Sequence, residues 1–196
     1  LAAEAYIDSG DSTVAASVLL GSATATEYGT RRRYAASVVD GLVATIDDDG
    51  VVSWESNAII RYLAAKHAAG TLAPASLVGR ARADMWMDWQ QNTLMQGLSP
   101  VFLGYIRTPP ENRDMNAIRQ GEALTVKALA VLDAHLKGRT HMLGENFTMA
   151  DIPVGAAVHR WYALPVSHPE MTNLRAWYER LQSRPGFKEH VMLPLS

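Results

Sequence analysis

The feature that most constrains the fold is a change of pattern near residues 70–74. Before this point, short β-rich runs alternate with helical segments, whereas after it the strand signals vanish and helical periodicity continues to the C-terminus. A chain divided in this way is expected to form two units. We predict a mixed α/β domain over residues 1–70 and an all-helical domain over residues 76–196.

The first unit contains one clear hairpin signal. Residues 42–46 and 51–54 are β-rich, and they are joined by the loop Asp-Asp-Asp-Gly at 47–50, which is typical of antiparallel pairs. Directly afterwards, apolar residues at helical spacing predict a helix over 58–67. Weaker strand and helix signals lie in the first 20 residues.

The second unit contains four long helical segments. They are predicted over about 76–106, 114–136, 148–164 and 172–183, and proline or glycine ends each of them. The third segment has the sharpest start, because Thr148 and Asp151 occupy the N-cap and N3 positions of a capping box. Phe147 and Ile152 stand at the two positions of a hydrophobic staple.

Composition excludes several classes of function. The chain has no cysteine, so it cannot supply a thiol for catalysis, disulfide exchange or zinc binding, and its six histidines show no metal-binding spacing. We expect no metal site. A formal charge of −2 gives no basic field for nucleic acid, and no apolar run is long enough to span a membrane. The chain is expected to be cytoplasmic.

Two motifs resemble the cytosolic glutathione transferase family, especially its bacterial members. Residues 54–63, Trp-Glu-Ser-Asn-Ala-Ile-Ile-Arg-Tyr-Leu, look like the family's Glu/Gln-Ser segment at a helix start, and residues 147–152 look like its capping box and staple. The resemblance extends from about Gly41 to the end. It implies a thioredoxin-like N-terminal domain, an all-helical C-terminal domain, glutathione as co-substrate and a homodimer.

The resemblance also implies how glutathione is held. Ser56 and the start of its helix would bind the γ-glutamyl carboxylate, Glu55 would receive the ammonium group, and the Val43 backbone would pair with the cysteinyl part. A helix N-terminus suits this role because its unpaired N–H groups and partial positive charge attract a carboxylate. The alternative is that Ser56 only caps the helix and Glu55 is only a favourable first-turn acid.

The catalytic requirement is a donor that favours the glutathione thiolate, since the thiolate is the nucleophile. In related bacterial enzymes this donor is usually a serine between the first strand and the first helix. Ser12 is the first candidate here and Ser9 the second, with Thr13 as another hydroxyl and Asp11 at the position where serine is expected. The alternative is a polar loop that caps the following helix.

The second substrate is expected to be a small hydrophobic electrophile bound against the helical domain. Phe102 and Tyr105 are the preferred candidates for its pocket, and Met85, Trp89 and Trp161 are further candidates. Aromatic residues and methionines at helical spacing also commonly form the core, which is the alternative for all five.

One departure from the family favours a different function. The family has a cis-proline before its third strand, whereas this chain has Ala44 there. A cis bond before a residue other than proline costs about 2.5 to 4 kcal/mol. The alternative function is therefore a protein of the same fold that binds glutathione or an apolar ligand without catalysis, or that regulates a partner.

Overall fold

The fold is known from a computed structural model that describes residues 45–195. The strand and helix predicted in the first 20 residues lie outside this range. The described part contains a β-hairpin followed by helices, which we number in chain order: β1 Thr45–Asp48, β2 Val51–Trp54, α1 Ser56–His67, α2 Leu77–Trp89, α3 Met95–Phe102, α4 Met115–Leu136, α5 Asp151–Ala163, α6 Thr172–Ser183 and α7 Pro185–His190.

The predicted hairpin is confirmed, with a shorter loop than expected. β1 and β2 pair antiparallel, with Thr45 opposite Trp54 and Asp48 opposite Val51. Only Asp49 and Gly50 form the turn, and both have positive φ angles, 54° and 88°. A two-residue turn of this kind has a twist that matches the twist of the paired strands. Residues 47 and 48 therefore belong to β1 and not to the loop. The part of the predicted strand before Thr45 lies outside the described residues.

The predicted helix over 76–106 is one helical rod with local irregularities. Ser76 caps α2 by accepting the Gly79 N–H at 3.0 Å. A π-helical segment, Gln90–Leu94, separates α2 from α3, and a second one, Leu103–Arg107, ends the rod. Such segments insert an extra residue per turn and are frequent at functional sites. They shift the register of the side chains that follow, Tyr105 among them.

The helices α3 and α4 approach each other at two glycines. A Cβ atom on Gly97 would lie 2.6 Å from the Thr125 nitrogen, and one on Gly121 would lie 2.6 Å from the Gly97 oxygen. No larger residue fits at either position without displacing backbone. The contact fixes the end of the rod against α4, which begins at an Asp114 cap bonded to the N–H groups of Asn116 and Ala117.

The helix α5 lies at the centre of the core. Every residue from 151 to 159 is buried, as is Trp161 of the same helix, and the core side chains around it include Trp177 of α6 and Phe187 of α7. A helix that is apolar on all sides can be accommodated only in the interior. The helix begins at Asp151 rather than at the predicted Thr148, because residues 149 and 150 form a turn closed by the bond from Asp151 N–H to the Thr148 oxygen.

The predicted capping carboxylate of Asp151 is confirmed and has more partners than a capping box provides. It accepts the N–H groups of Met142 and Thr148 and the Trp177 Nε1–H, each at 2.9 Å, and the Thr148 hydroxyl at 3.2 Å. Burial raises the pKa of this carboxyl, and these hydrogen bonds oppose the rise. Asp151 thus joins the turn before α5 to α6.

The short helix α7 was not predicted. Pro185 was expected only to end the preceding helix, and it does follow the end of α6, but it also occupies the first turn of α7. Proline suits that position because its missing N–H has no helical partner there. Phe187 of α7 is buried in the core, which explains why this short helix is held in place.

The helix α1 is bonded to the helical part of the chain. The Asn57 amide donates to the Met87 oxygen at 2.8 Å, and Arg61 bonds to the carboxylates of Asp84 and Asp88. The predicted domain boundary near 70–74 stays a prediction. Within residues 45–195, no helix combines the length and apolarity needed to cross a membrane.

Candidate functional site

The start of α1 has an unusual backbone. Glu55 occupies the N-cap position with φ 67° and ψ 121°, and its carbonyl accepts the Ile59 N–H at 2.9 Å. A residue other than glycine at positive φ costs about 1 to 3 kcal/mol and is kept only where its surroundings enforce it. Here the hairpin ends at Trp54 and the helix begins at Ser56, so both neighbours of Glu55 are fixed.

The side chains at this helix start have hydrogen-bonding capacity left. Ser56 is the first helical residue and Glu55 is the N-cap, and no side chain of the described residues caps α1. Its hydroxyl makes no hydrogen bond to the described part of the chain, and the Glu55 carboxylate has one amide neighbour, Gln91 Nε2 at 3.5 Å. The first-turn N–H groups have no helical acceptor. The site can therefore bind an anionic group beside a cationic one.

A buried asparagine that was not predicted as a site residue fixes this helix start. Asn57 is 2% exposed, and its amide nitrogen donates to the Met87 oxygen at 2.8 Å and to Gln91 Oε1 at 3.2 Å. Its side-chain oxygen is buried and has no hydrogen-bond partner among residues 45–195. These hydrogen bonds fix Asn57 and, through the backbone, the adjacent Ser56. One polar residue on a helix gives no pattern by which sequence could have found it.

Asp48 joins the hairpin to α1. Its carboxylate accepts the Tyr62 hydroxyl at 2.7 Å and an ammonium hydrogen of Lys66. These hydrogen bonds raise the pKa of both the Tyr62 hydroxyl and the Lys66 ammonium. The contact fixes the end of β1 against α1, two to three turns from the start of the helix. Because Glu55 lies between these two points of the chain, the contact helps to enforce its strained backbone.

The two preferred pocket residues are half-buried and lie beside charged groups. The Phe102 ring faces the Arg160 guanidinium, whose Cζ is 5.1 Å from the ring centroid. The Tyr105 ring faces Arg113 at 5.3 Å, and the Tyr105 hydroxyl is 3.5 Å from Glu122 Oε1. Both rings are thus available in part to a ligand, although their neighbours are more polar than a simple apolar wall.

The three further pocket candidates have different environments. Trp161 is 2% exposed and belongs to the core, whereas Met85 is 69% exposed on α2. Trp89 is partly buried and packs edge-on against Trp86, with ring centroids 5.0 Å apart. These three residues therefore do not line one common surface.

The remaining predicted site residues lie outside the described part of the chain. They are Ser9, Asp11, Ser12, Thr13, Val43 and Ala44. Among residues 45–195, no group of three side chains could hold a metal ion. A groove of about 480 Å³ beside α6, lined in part by Tyr162, His168 and Arg175, contains none of the predicted site residues. We place the candidate site at the start of α1.

Comparisons with known protein sequences point to one family. Residues 115–180 match the family model of the glutathione S-transferase C-terminal domain. Glutathione S-transferase GstB of Escherichia coli is 36% identical over 159 residues, which cover 80% of this chain and 76% of that protein.

Solved structures give the same result. The theta-class glutathione S-transferase of Xanthomonas axonopodis pv. citri, solved with glutathione bound, is 40% identical, with a TM-score of 0.76 over 81% of this chain and 83% of that one. A delta-class glutathione transferase of Nilaparvata lugens is 26% identical, with a TM-score of 0.65 over 75% and 68%. The predicted fold class is confirmed, and the chain belongs to the glutathione S-transferase family.

Proposed function

We propose that this protein is a glutathione transferase that joins the glutathione sulfur to a small hydrophobic electrophile. The observation that carries the proposal is the open helix start at Glu55 and Ser56 in a chain of this family. That start combines a hydroxyl, free N–H groups and a carboxylate. The γ-glutamyl end of glutathione offers the complementary carboxylate and ammonium.

The binding roles follow from this complementarity. The first-turn N–H groups of α1 and the Ser56 hydroxyl donate to the γ-glutamyl carboxylate, and the Glu55 carboxylate receives the ammonium group. The Val43 backbone pairs with the cysteinyl part of the tripeptide. Asn57 and Asp48 are positioning residues, because they hold α1 and the hairpin without contacting glutathione.

The proposed chemistry is nucleophilic attack by the thiolate. A hydroxyl of Ser12, or of Ser9, donates a hydrogen bond to the glutathione sulfur and lowers its pKa, so that the thiol proton passes to solvent. The thiolate then forms a carbon–sulfur bond, and the leaving group departs with the electron pair of the broken bond. Phe102 and Tyr105 contact the electrophile.

The first test combines binding and turnover. Calorimetric titration with glutathione should give a Kd between about 1 μM and 1 mM, a range that corresponds to about −8 to −4 kcal/mol, and an aryl chloride should be conjugated. The double variant Ser9→Ala and Ser12→Ala should still bind glutathione but lose the shift in its thiol pKa. Full turnover by that variant would contradict the catalytic assignment.

Binding without turnover is the second candidate function, and Ala44 in place of the family's proline favours it. A wild-type protein that binds glutathione but conjugates no electrophile would support this alternative. A protein that does not bind glutathione at all would contradict both the transferase and the glutathione carrier, and would leave an apolar-ligand or regulatory role on the same fold.

We also propose a homodimer that acts in the cytoplasm. Large apolar side chains are exposed on β2 and α2: Trp54 at 61%, Leu77 at 80%, Val78 at 61% and Met85 at 69%. Val78 and Met85 are seven residues apart, so they share one face of α2. A reduced co-substrate such as glutathione fits the reducing cytoplasm. Sedimentation should show a dimer that Met85→Glu weakens, and a monomeric wild type would contradict the proposal.

A further inference from the structure

Arg160 is an arginine for which glutathione binding gives no role. It lies near the end of α5, is half-buried, and holds its guanidinium over the Phe102 ring with Cζ 5.1 Å from the centroid. The contact is favourable because the face of an aromatic ring is negative. Since α3 packs against α5, the charge lies beside one of the two pocket residues.

No carboxylate of the described chain neutralises this charge. Arg61 pairs with Asp84 and Asp88, whereas neither Arg160 nor Arg107 has an ion pair with any residue from 45 to 195. A buried charge without a counter-ion is unfavourable. An arginine cannot escape that cost by losing its proton, so the site retains a positive charge.

A second arginine, Arg107, follows Phe102 along the same helical rod. Arg107 ends the second π-helical segment, five residues after Phe102, and its side chain is exposed. Burial lowers the pKa of Arg160, and the charge of Arg107 lowers it further. Two like charges repel each other unless an anion lies between or beside them. An anion bound beside the half-buried Arg160 would offset this repulsion.

We infer that Arg160 and Arg107 form an anion-binding subsite beside Phe102, and that the preferred electrophile carries a carboxylate or a similar anionic group. This inference rests on the proposed transferase function, because it specifies the second substrate of that site. Phe102 contacts the apolar part of the electrophile, and the two guanidinium groups bind its anionic end.

The binding test needs a probe that does not react. The probe is 3,5-dinitrobenzoate, which has no leaving group, and its methyl ester is the neutral match. Titration calorimetry should show that the wild type binds the anion at least about tenfold more tightly than the ester, as a charge-assisted hydrogen bond predicts. Added salt should reduce this preference for a partly exposed pair.

Three variants identify the source of the preference. Arg160→Gln should weaken binding of the anion by about tenfold and change binding of the ester less than about twofold. Arg107→Gln tests the exposed partner, and Arg160→Lys should restore part of the preference because it keeps the charge. The matched control is Arg139→Gln, an exposed arginine beyond the far end of α4. It should behave as wild type.

A turnover assay uses the reactive pair, 4-chloro-3,5-dinitrobenzoate and its methyl ester. The thiolate attacks the carbon that bears chlorine, a carbon–sulfur bond forms, and chloride leaves with its electron pair, while the carboxylate is unchanged. Arg160→Gln should raise KM for the carboxylate about tenfold, with kcat and the values for the ester nearly unchanged.

The outcomes separate the two proposals. Equal binding of dinitrobenzoate and its ester, or full anion preference in both Arg160→Gln and Arg107→Gln, overturns the anion subsite even if the protein is an active transferase. Anion preference that depends on these arginines supports the subsite even if no conjugation occurs. In that case the failure belongs to the proposed catalytic function alone.

Discussion

The starts of α1 and α5 have similar local chemistry and opposite environments. Each has an acid at or next to the first helical residue and a hydroxyl close by: Glu55 with Ser56, and Asp151 with Thr148. Asp151 is fully buried and accepts four hydrogen bonds from its own chain. Glu55 is partly exposed, with a single amide at 3.5 Å, and no described residue bonds to the Ser56 hydroxyl.

The difference shows how one helix-start signal can serve structure or binding. Where the rest of the chain supplies hydrogen-bond donors and excludes water, the carboxylate accepts bonds from its own chain and connects secondary-structure elements. Where the chain leaves donors and acceptors at the surface, the same groups remain for a ligand. Substitutions at the two starts should therefore affect different quantities.

The largest expected effect is on stability, from Asp151→Ala. The change leaves the N–H groups of Met142 and Thr148 and the Trp177 indole N–H without their acceptor in the core. We expect the free energy of unfolding in urea to fall by about 3 to 5 kcal/mol. Glu55→Ala is the control and should change it by less than about 0.5 kcal/mol. Similar losses in both variants would remove the contrast between the two helix starts.

Asn57→Ala should have the next largest effect. The change leaves the Met87 oxygen without the amide hydrogen that it accepts, so the free energy of unfolding should fall by about 1 to 3 kcal/mol. Glutathione binding should weaken as well, because the helix start loses its support. Urea unfolding and calorimetric titration measure the two effects. Unchanged affinity in a folded variant would show that Asn57 does not position Ser56.

Ser56→Ala should mainly weaken glutathione binding, whereas Thr148→Ala should mainly lower stability. Ser56→Ala should weaken glutathione binding by about tenfold, since it removes one hydrogen bond to a charged group, with little change in stability. Thr148→Ala removes one hydrogen bond to the Asp151 carboxylate, so it should lower the free energy of unfolding by about 1 kcal/mol and leave glutathione affinity unchanged. If both variants lower stability without affecting affinity, Ser56 is structural.

The smallest effect is on the pH dependence of stability. His159 is buried, its Nδ1 lies 2.8 Å from the Tyr178 hydroxyl, and burial lowers its pKa. Because the unfolded pKa is about 6.5, protons bind more tightly to the unfolded chain. The stability that the neutral ring contributes is complete above about pH 6.5 and is lost as pH falls towards the lower folded pKa. Thermal unfolding of His159→Gln should decline less with acid than wild type.

Local patterns predicted most of the elements. The hairpin, the helix that becomes α1, and the Asp151 cap each depend on a few neighbouring residues, and all three are present. The π-helical segments and α7 were missed because they depend on packing. Gln90–Leu94 lies inside a continuous helical rod, and α7 depends on the burial of Phe187.

Part of the candidate site could be proposed from local patterns alone. Glu55 and Ser56 could be proposed as binding residues because their motif is contiguous. The support from Asn57 joins residues 30 positions apart, and the contact of Phe102 with Arg160 joins two distant helices, so neither leaves a local pattern. For Met85 and Trp161 the local pattern is similar but the environment differs. Both are apolar residues on helices, yet Met85 is exposed and Trp161 is buried in the core.

The hydrogen bonds that anchor α1 involve residues that the ribosome makes later than α1 itself. Asn57 bonds to Met87, and the Leu72 oxygen, shortly after α1, accepts the Met149 N–H at 3.0 Å. Because the ribosome makes the chain from its N-terminus, α1 emerges before the residues that anchor it. A nascent chain that ends before Met149 carries Glu55 and Ser56 but lacks this anchor. The two hydrogen bonds that tie α1 and its following turn to the helical part of the chain can therefore form only after Met87 and Met149 have been made.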